Sequence, residues 1–370
     1  MKILYVYSGK ARAGGLDLVV RQELQALVEA DNSIDFLARG SYKAPEIRNL
    51  TLRFTPANLI SSLPARYYYS AQNRFFSQLG SLLVRLGDYD LVIGWSTQSR
   101  NLFRAANKAG IFSVLNCPNR HFNFPLGKKI QGNHPWPAYR EQDLEEEFQR
   151  ADLLLTASES ARETFLANSY EKVASIGRGA DLSRFSMPVE RSDTPFRVIF
   201  LGRVCERKGI FQLLEAWKKA VLSNAELWIV GSIPKEIENN VRHSADSTVT
   251  FWDHQAHPEK LLTQCHVQIL PSCDEGMAKS LVEGAACGLA TLATKESGLP
   301  IREGVTGYTI NRDNTQDIAA RLRELAANRQ LCNNMGKSGA EYVRKHLTWE
   351  KFRSRFTMEI TSHIQSAPKT

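Results

Sequence analysis

Short apolar runs alternate with amphipathic stretches along the first half of the chain. The apolar runs read KILYVYS, IDFLA, DLVIGW and FSVLNC, and the stretches between them predict helices over 15–29, 70–86 and 97–109. An acidic helix is predicted over 139–150, and the runs ADLLLTAS and KVASI continue the pattern. This alternation is typical of βαβ units that build a parallel sheet.

The same alternation restarts in the second half of the chain. Apolar runs that read RVIFLG, AELWIVG, TVTFWD, VQIL and ATLAT are separated by polar or amphipathic stretches. Helices are predicted over 209–222, 258–264, 280–287, 314–327 and 330–345. The second half therefore predicts a second parallel sheet covered by helices.

Domain boundaries follow from a polar stretch bounded by prolines over 186–195, which we interpret as a linker. It separates an amino-terminal domain, 1–185, from a carboxy-terminal domain, 196–346. The last residues, 347–370, predict a helix that packs back on the amino-terminal domain. We expect an α/β fold with two facing doubly wound, Rossmann-like domains. Ligands should bind in the cleft between them, beyond the carboxyl ends of the strands.

Composition is that of a soluble globular protein. A chain of 370 residues is too long for one ordinary core and fits two domains of roughly 150 residues each. No run of about 20 apolar residues exists, which excludes a membrane-spanning helix, and the start MKILYVYSG does not have the form of a secretory signal. The six cysteines are scattered without a Cys-x-x-Cys pair, so we expect a reducing cytoplasm and no structural metal.

The net charge of +8 is concentrated in the first half of the chain. Residues 39–129 contain 13 Lys and Arg against three acids, and no acid occurs between Glu46 and Asp88. Within this interval the segment LPARYYYSAQNRFF, 63–76, combines two arginines with five aromatic rings. Such a composition suits an anionic membrane surface or a charged acceptor. It suits equally a solvated basic face over a partly buried aromatic helix.

Two cations follow the first strand of the second domain. The sequence GRVCERKG places Arg203 and Lys208 in the turn at the carboxyl end of that strand, beside the start of a helix. Helix amides and fixed positive charge together bind a diphosphate, whereas the alternative is a pair of exposed surface cations. In the first domain, Gly14 and Gly15 let backbone amides approach an anion at another helix start.

The stretch CDEGMAKSLVEGAACG, 273–288, places Glu283 in a helix of small residues. Ser280 and Glu283 have the spacing of a capping box, in which the Glu283 carboxylate accepts a hydrogen bond from the backbone N–H of Ser280. Local structure alone could therefore explain Glu283.

Glu275 lies in the turn before that helix, where a carboxylate gains nothing from packing. Ribose and hexose hydroxyls favour charged acceptors, and the backbone amides that follow could meet phosphate oxygens. Those amides belong to Gly276, Met277 and Ala278. A carboxylate, amides and a second carboxylate in this order match a nucleotide-sugar laid along the turn.

The order and spacing of several segments carry a resemblance to a known family. The segments read FLGRVCERKG, ELWIVG, QILPSCDEGMAKSLVEGAACGLATLAT, GLPIREGVTGYTI and NNMGKSGAEYVRKHLTWEKF, with MKILYVYSG and ADLLLTASESARETFL in the first domain. Together they resemble the retaining family 4 glycosyltransferases of the GT-B fold. The resemblance implies a nucleotide-diphosphate sugar donor, transfer with retention at the anomeric carbon, no metal requirement and no cofactor.

The resemblance also implies roles for individual residues. Arg203 and Lys208 would hold the diphosphate and stabilise its charge as it leaves. Glu275 would contact hydroxyls of the transferred sugar, and Glu283 would contact the ribose. From the facing domain, Gly15 would bring its amide towards the phosphates.

Two features relate less directly to the family pattern. The family has a histidine near the sugar after a first-domain strand, and His121 in LNCPNRHFN is the candidate here, with a loop-shaping role as the alternative. The family often has Gly-Phe-Gly after the first glutamate, whereas this chain has Gly276, Met277 and Ala278. Alanine is conformationally less permissive than glycine, so the geometry of this loop should differ from the family's.

The resemblance and the charge together predict a retaining, metal-independent hexosyltransferase on the inner, cytoplasmic face of a membrane. Its donor would be UDP- or GDP-linked, and its acceptor lipid-linked or an envelope polysaccharide, while a GT-B epimerase or phosphorylase is the alternative. A nicotinamide-dependent dehydrogenase is disfavoured because SGKARAGG does not supply Gly-x-Gly-x-x-Gly. A nucleic-acid partner is disfavoured because no recognisable binding module accompanies the charge. The loop WDHQAHP, 252–258, should lie near the base of the donor.

Overall fold

The computed structural model describes residues 1–11, 15–62, 64–123, 141–190 and 195–366. The chain forms two compact units. Of the described residues, the first unit contains those up to Ile176 and those from Phe352 onward, and the second unit contains Gly177–Lys351.

The first unit is a seven-stranded sheet with the strand order β3-β2-β1-β4-β5-β6-β7. Its strands are β1 Lys2–Tyr7, β2 Ser33–Ala38, β3 Ile47–Thr51, β4 Leu91–Trp95, β5 Phe112–Cys117, β6 Leu153–Thr156 and β7 Val173–Ser175. Its helices are α1 Gly15–Glu29, α2 Ala65–Leu86, α3 Arg100–Ala109, α4 Glu141–Arg150 and α5 Glu159–Leu166. Strand β1 pairs in parallel with both β2 and β4, so the direction of the sheet order reverses between β1 and β4.

The second unit is a six-stranded sheet with the order β10-β9-β8-β11-β12-β13. Its strands are β8 Phe196–Leu201, β9 Ala225–Val230, β10 Val249–Trp252, β11 Val267–Leu270, β12 Ala290–Ala293 and β13 Gly307–Thr309. Its helices are α6 Ile210–Ala220, α7 Lys235–His243, α8 Glu259–Leu262, α9 Lys279–Ala286, α10 Thr315–Ala327 and α11 Arg329–His346. Here the order reverses between β8 and β11, which pair in parallel. The prediction of two doubly wound α/β domains is confirmed.

Parallel strands covered by helices on both faces bury nearly all their side chains, which explains the continuous apolar runs in the sequence. In β1 and β4 every side chain from Ile3 to Val6 and from Leu91 to Ile93 is fully buried. Phe76 of α2 and Phe103 of α3 complete the core on one face of that sheet. The core therefore holds α2 and α3 over the carboxyl ends of β1 and β4.

Strand β3, helix α7 and strand β13 were not predicted because their sequences are polar or short, and helix α5 was not predicted either. Strand β3 pairs with β2 at the edge of the sheet, where Arg48 and Asn49 are exposed, so it has no apolar run. Helix α7 buries only Val241 among its own residues, and β13 is three residues long. Helix α2 begins at Ala65 and not at residue 70 as predicted. The aromatic residues 67–69 therefore belong to the helix.

The boundary between the units lies earlier than the predicted linker. The chain leaves the first sheet at the end of β7, and Ala180 already forms a parallel bridge with Thr348 of the second unit. Phe185, inside the predicted first domain, lies 6.0 Å below the ammonium group of Lys279. The segment 177–185 therefore belongs to the second unit, although its sequence resembles a continuation of the first.

Helix α12, Trp349–Ser366, carries the chain from the second unit back to the first. Phe352 and Phe356 are fully buried. Arg353 donates to the side chain of Gln22 at 2.7 Å and pairs with Glu29 at 2.9 Å, both on α1. Among the described residues no helix is long and apolar enough to cross a membrane.

Candidate functional site

The predicted donor residues lie at the switch point of the second sheet. Strands β8 and β11 are neighbours there, and ligands of open α/β sheets bind beyond the carboxyl ends of strands at such points. The turn after β8 covers residues 202–209 and the turn after β11 covers residues 271–278. Arg203, Lys208 and Glu275 belong to these two turns, and Glu283 lies in the helix that follows the second of them.

Gly209 allows the two turns to pack together. Its φ is +74°, a left-handed conformation, and a Cβ atom at this position would lie 2.1 Å from the carbonyl oxygen of Pro271. The backbone N–H of Cys273 then donates to the carbonyl oxygen of Arg207 at 3.0 Å. Any side chain at residue 209 would separate the turns, because backbone atoms cannot move aside as a flexible side chain can.

Glu275 is held between two cations that come from the other turn. Its carboxylate lies 2.8 Å from Lys208 Nζ and 2.9 Å from Arg207 Nη1, and its side chain is 15% exposed. Burial alone raises the pKa of Glu275, but Lys208 and Arg207 outweigh burial, so the pKa is below its usual value. The expectation that packing gives this carboxylate nothing is thereby corrected.

Arg207 was missed by the sequence analysis. It stands in the same turn as Lys208 and also donates to the carbonyl oxygen of Asp274, which fixes the backbone beside Glu275. The charged run ERK, 206–208, could have indicated Arg207. Three consecutive charged residues in a turn that follows a buried strand are costly unless they have partners.

Arg203 differs from these two cations because its side chain is exposed. It forms no hydrogen bond or ion pair with any residue that the structure describes. The turn after β8 thus contains two cations, Arg207 and Lys208, that pair with Glu275, and a third, Arg203, that has no partner among the described residues. Such a turn can accept a diphosphate without first breaking its internal ion pairs.

The predicted capping box at the start of α9 does not form. The helix begins at Lys279, its N-cap is Ala278, and Ser280 is already inside the first turn. Glu283 is buried and forms an ion pair with Lys279 instead. Burial raises the pKa of Glu283 above its usual value although Lys279 opposes the shift, so local capping does not account for this carboxylate.

The backbone amides of the turn after β11 are partly engaged. The backbone N–H of Glu275 donates to the carbonyl oxygen of Glu296 at 3.0 Å, and the backbone N–H of Ala278 donates to the carbonyl oxygen of Ser297 at 2.9 Å. The prediction that the Ala278 amide meets a phosphate is corrected, because that donor is already bound. Gly276 and Met277 are buried in the same turn.

The loop 252–258 is tied to the beginning of the second unit. Arg184 donates to the carbonyl oxygen of Ala256 at 3.3 Å and pairs with Glu259 at 2.9 Å. The charges of Arg184 and Glu259 also act on Glu283. Arg184 thus contacts the loop predicted to lie near the base and also acts through its charge on the carboxylate predicted to bind the ribose.

His121 lies in an aromatic cluster of the first unit. Its ring stacks on Phe122 with centroids 4.4 Å apart, and Phe148 and Phe165 approach within 5.4 and 5.2 Å. Its side chain is 1% exposed, and burial lowers its pKa although Glu145 opposes the shift. This environment favours the loop-shaping alternative over direct contact with a sugar.

The other first-unit candidates are less defined. Gly15 begins helix α1 with φ +57° and is exposed. Gly14 lies outside the described residues. Of the segment 63–76, residue 63 and the side chain of Arg66 are likewise outside the description. Tyr67 and Tyr69 are exposed while Phe76 is in the core, so the segment is both a solvated face and part of a buried helix.

Comparison with known proteins supports the family. The model of the family glycosyl transferases group 1 matches residues 195–328. An uncharacterised glycosyltransferase of Methanocaldococcus jannaschii, MJ1178, is 29% identical over 157 residues, which cover 41% of this chain and 44% of that protein. The putative colanic acid biosynthesis glycosyltransferase WcaL of Escherichia coli is 26% identical, with 51% of this chain and 50% of that protein covered. The chain thus spans about half the length of the curated relatives it matches.

Solved structures match nearly the entire chain. Sucrose-phosphate synthase of Thermosynechococcus elongatus superposes with a TM-score of 0.77 at 20% identity, covering 99% of this chain and 100% of that one. HepE of Anabaena in complex with UDP gives a TM-score of 0.71 at 15% identity, covering 98% and 100%. At these identities the likeness shows the fold alone. The chain therefore has the GT-B fold, and residues 195–328 of its second unit match the model of the glycosyl transferases group 1 family.

Proposed function

We propose that the protein is a retaining glycosyltransferase that moves a hexose from a UDP- or GDP-linked donor to a lipid-linked or envelope-polysaccharide acceptor. The observation that carries the proposal is the charge arrangement at the switch point of the second sheet, where Lys208 and Glu275 pair beside the exposed Arg203. The family match supports the activity, and relatives named for capsular and colanic acid biosynthesis support the acceptor class.

Charge is the main demand of the reaction. Breaking the anomeric bond develops positive charge on the sugar and negative charge on the leaving diphosphate. Arg203 and Lys208 would stabilise the diphosphate in the transition state, where preorganised charge is most effective. Glu275, whose pKa is lowered by Lys208 and Arg207 against the opposing effect of burial, would remain ionised and accept hydrogen bonds from sugar hydroxyls. Same-face attack, with the leaving phosphate accepting the acceptor's proton, would preserve the anomeric configuration.

Nucleotide binding tests the donor site. UDP or GDP should raise the melting temperature because each binds the folded state, while NAD should not. Wild-type protein without a shift at millimolar UDP and GDP would contradict the proposal.

Product analysis tests the reaction. Incubation with a radiolabelled UDP- or GDP-hexose and a membrane-lipid extract should yield a glycosylated lipid or polysaccharide whose anomeric configuration by NMR matches that of the donor. Turnover should survive EDTA, since no carboxylate pair with metal-ligand spacing enters the proposed mechanism. An epimerised nucleotide-sugar or a sugar phosphate as the product would indicate an epimerase or a phosphorylase instead.

We infer further that the first unit attaches to an anionic membrane. Phe54 and Leu59 are exposed just before α2, and Tyr67 and Tyr69 are exposed in its first turns. The surrounding interval 39–129 has ten more basic than acidic residues, 13 against three. Interfacial aromatic residues add apolar burial to the roughly 1 kcal/mol that each cation contributes near anionic lipid, which makes such a bilayer the fitting occupant.

Sedimentation with liposomes tests the attachment. Wild-type protein should bind vesicles that contain phosphatidylserine, and binding should fall with added salt. The double variant Tyr67→Ser/Tyr69→Ser should lose most of this binding and keep its response to UDP. Leu86→Ser, at the exposed end of the same helix, is the matched control. If the two variants sediment equally with the vesicles, or if wild-type protein does not sediment with them, the aromatic residues belong only to a solvated face.

A further inference from the structure

A polar cavity lies at the switch point of the first sheet. It has a volume of about 380 Å³ and is enclosed by α2, the loop from β4 to α3, and α4. Its lining includes Asn73, Arg74, Thr97, Gln98, Arg100 and Glu147. Amides, hydroxyls and a few charged groups around a volume of this size suit one sugar ring rather than an apolar ligand.

Buried hydrogen bonds fix the floor of the cavity. Ser8, just after β1, donates its hydroxyl to Asn73 at 2.6 Å and its backbone N–H to Gln98 at 2.6 Å. The Asn73 amide in turn donates to the Thr97 hydroxyl at 3.2 Å. Asn73 and Gln98 are each 7% exposed, so both amides are held in one orientation at the carboxyl ends of β1 and β4.

Glu147 closes the start of α3. Its carboxylate accepts hydrogen bonds from the backbone N–H groups of Ser99 at 2.8 Å and Arg100 at 3.0 Å, and from that of Thr97. These contacts hold Thr97 at φ +79°, a left-handed conformation that is costly for a β-branched residue. The helix amides are therefore satisfied by the protein itself, and a ligand in the cavity must be recognised by side chains.

One lining cation has no protein partner. Arg100 pairs with Asp143 at 2.6 Å and with Glu146 at 2.5 Å, so its charge is compensated. Arg74 is exposed at the cavity and forms no ion pair or hydrogen bond with any residue that the structure describes. The cavity therefore combines a floor of amides and hydroxyls, a buried carboxyl group, Glu147, that is held by backbone N–H groups, and one exposed cation, Arg74, that pairs with no described carboxylate.

We propose that this cavity binds one sugar unit of the acceptor and that this sugar carries a carboxylate, as a uronic acid does, which pairs with Arg74. The inference rests on the proposed glycosyl transfer and names the class of its acceptor. A carboxylate balances the single charge of Arg74, whereas a phosphate dianion would exceed it and would approach Asp143, which also lines the cavity. The sequence analysis interpreted the basic first half as a site for a charged acceptor or for an anionic membrane. Under this proposal, Arg74 binds the charged acceptor, and the exposed tyrosines contact the membrane.

Saturation-transfer NMR titrations of the full chain test the proposal with a matched pair of ligands. Methyl β-D-glucuronide and methyl β-D-glucoside differ only in a carboxylate against a hydroxymethyl group. We expect the glucuronide to bind about fivefold tighter, as an ion pair at a partly exposed site provides. Arg74→Gln should abolish this preference, and Arg85→Gln, which removes the same charge from an exposed position of the same helix, should retain it.

Three results would overturn the inference: equal affinity for the two glycosides, a preference that survives Arg74→Gln, or tighter binding of glucose 6-phosphate than of the glucuronide. The last would assign the cavity to phosphorylated sugars. A parallel thermal shift with UDP separates this inference from the proposed function. A normal UDP response with no glucuronide preference removes only the cavity assignment, whereas a glucuronide preference without any nucleotide response removes the transferase proposal.

Discussion

The two sheets each reverse their strand order once, and the two switch points are chemically different. In the second unit, charged side chains from two turns neutralise one another around Glu275. In the first unit, amides and hydroxyls hold one another in place, and Arg74 is exposed and has no partner within the described part of the chain. The same topology thus builds a site suited to a highly charged ligand in one unit and a site suited to a hydroxylated ligand in the other.

Because of this difference, the loss of one side chain should have a different free-energy cost at each site. An ion-pair cluster that loses one member leaves a buried charge uncompensated, which is expensive. A network of amides and hydroxyls that loses one member leaves a dipole unsatisfied, which costs less. Substitutions at the two switch points should therefore have effects of different size, and the variants below test that expectation from the largest effect to the smallest.

Lys208→Ala should have the largest effect. It removes a charge from the proposed diphosphate site and leaves Glu275 with Arg207 alone, so turnover should fall by about a thousandfold, as the loss of a transition-state donor does elsewhere. Initial rates with a UDP- or GDP-hexose measure it. Lys218→Ala, on the exposed side of α6, should retain wild-type turnover. A Lys208 variant with more than a tenth of wild-type turnover would contradict the proposed clamp.

Glu275→Gln should lower both turnover and stability. The substitution keeps the shape and removes the charge, so Lys208 and Arg207 repel each other; turnover should fall by about a hundredfold and the free energy of unfolding by roughly 1–3 kcal/mol. The pKa of Glu275 is lowered in the folded state, because Lys208 and Arg207 outweigh the opposing effect of burial. The stability difference from wild type should therefore be complete above the ordinary carboxyl pKa and be lost progressively as the pH falls from there through the lowered folded-state pKa.

Urea denaturation at pH 7 and at pH 4 measures the effect of Glu275→Gln. Equal stability of the variant and wild type at pH 7 would mean that the ion pairs around Glu275 contribute nothing to the fold. Its role would then be confined to the ligand.

Glu147 offers the opposite dependence on pH at the first switch point. Burial raises its pKa to about 8, although hydrogen bonds from the Ser99, Thr97 and Arg100 amides oppose the shift. A carboxyl group with a raised folded-state pKa contributes stability that is present below its unfolded pKa and is lost as the pH rises through its folded pKa. Between about pH 4.5 and 8 the free energy of unfolding should fall by at most about 1.4 kcal/mol per pH unit.

The variant Glu147→Gln isolates this contribution. Its free energy of unfolding should be nearly flat over the same interval, apart from groups shared with wild type, because its side chain cannot ionise. Parallel slopes for the two proteins would show that Glu147 does not titrate in this range.

Glu283→Gln should have the smallest effect. Since α9 has its N-cap at Ala278, no helix cap is lost, and only the contact with Lys279 and the proposed ribose contact change. We expect UDP affinity to fall about tenfold, in line with one charge-assisted hydrogen bond, with turnover at saturating donor nearly unchanged. Isothermal titration with UDP measures it, and unaltered affinity would assign Glu283 to structure alone.

The second switch point was largely predictable, since its charged residues follow two recognisable apolar runs. What the sequence could not supply were contacts made across long separations. The backbone N–H of Ala278 donates to the carbonyl oxygen of Ser297, and Arg207 donates to the carbonyl oxygen of Asp274. Both contacts join turns that are far apart in the sequence. The position at which α9 begins and the role of Arg207 therefore could not be predicted from local sequence.

The first switch point escaped the sequence analysis for a related reason. Its cavity is assembled from residues as far apart as Asn73 and Glu147, all of common polar types. No local pattern marks such residues, because their significance depends on which helices the core holds together. His121 illustrates the converse, since its position after a strand suggested chemistry and the fold places it among aromatic rings.

The first unit contains residues on both sides of the second unit along the chain, so the second unit is, in topological terms, inserted between Ile176 and Phe352. An exchange of the second unit between related chains therefore needs two splice junctions. A chimera joined once, near residue 177, would take its last helix from the other parent. That helix would have to supply the buried side chains that Phe352 and Phe356 provide here. It would also have to reproduce the contacts that Arg353 makes with Gln22 and Glu29 of α1.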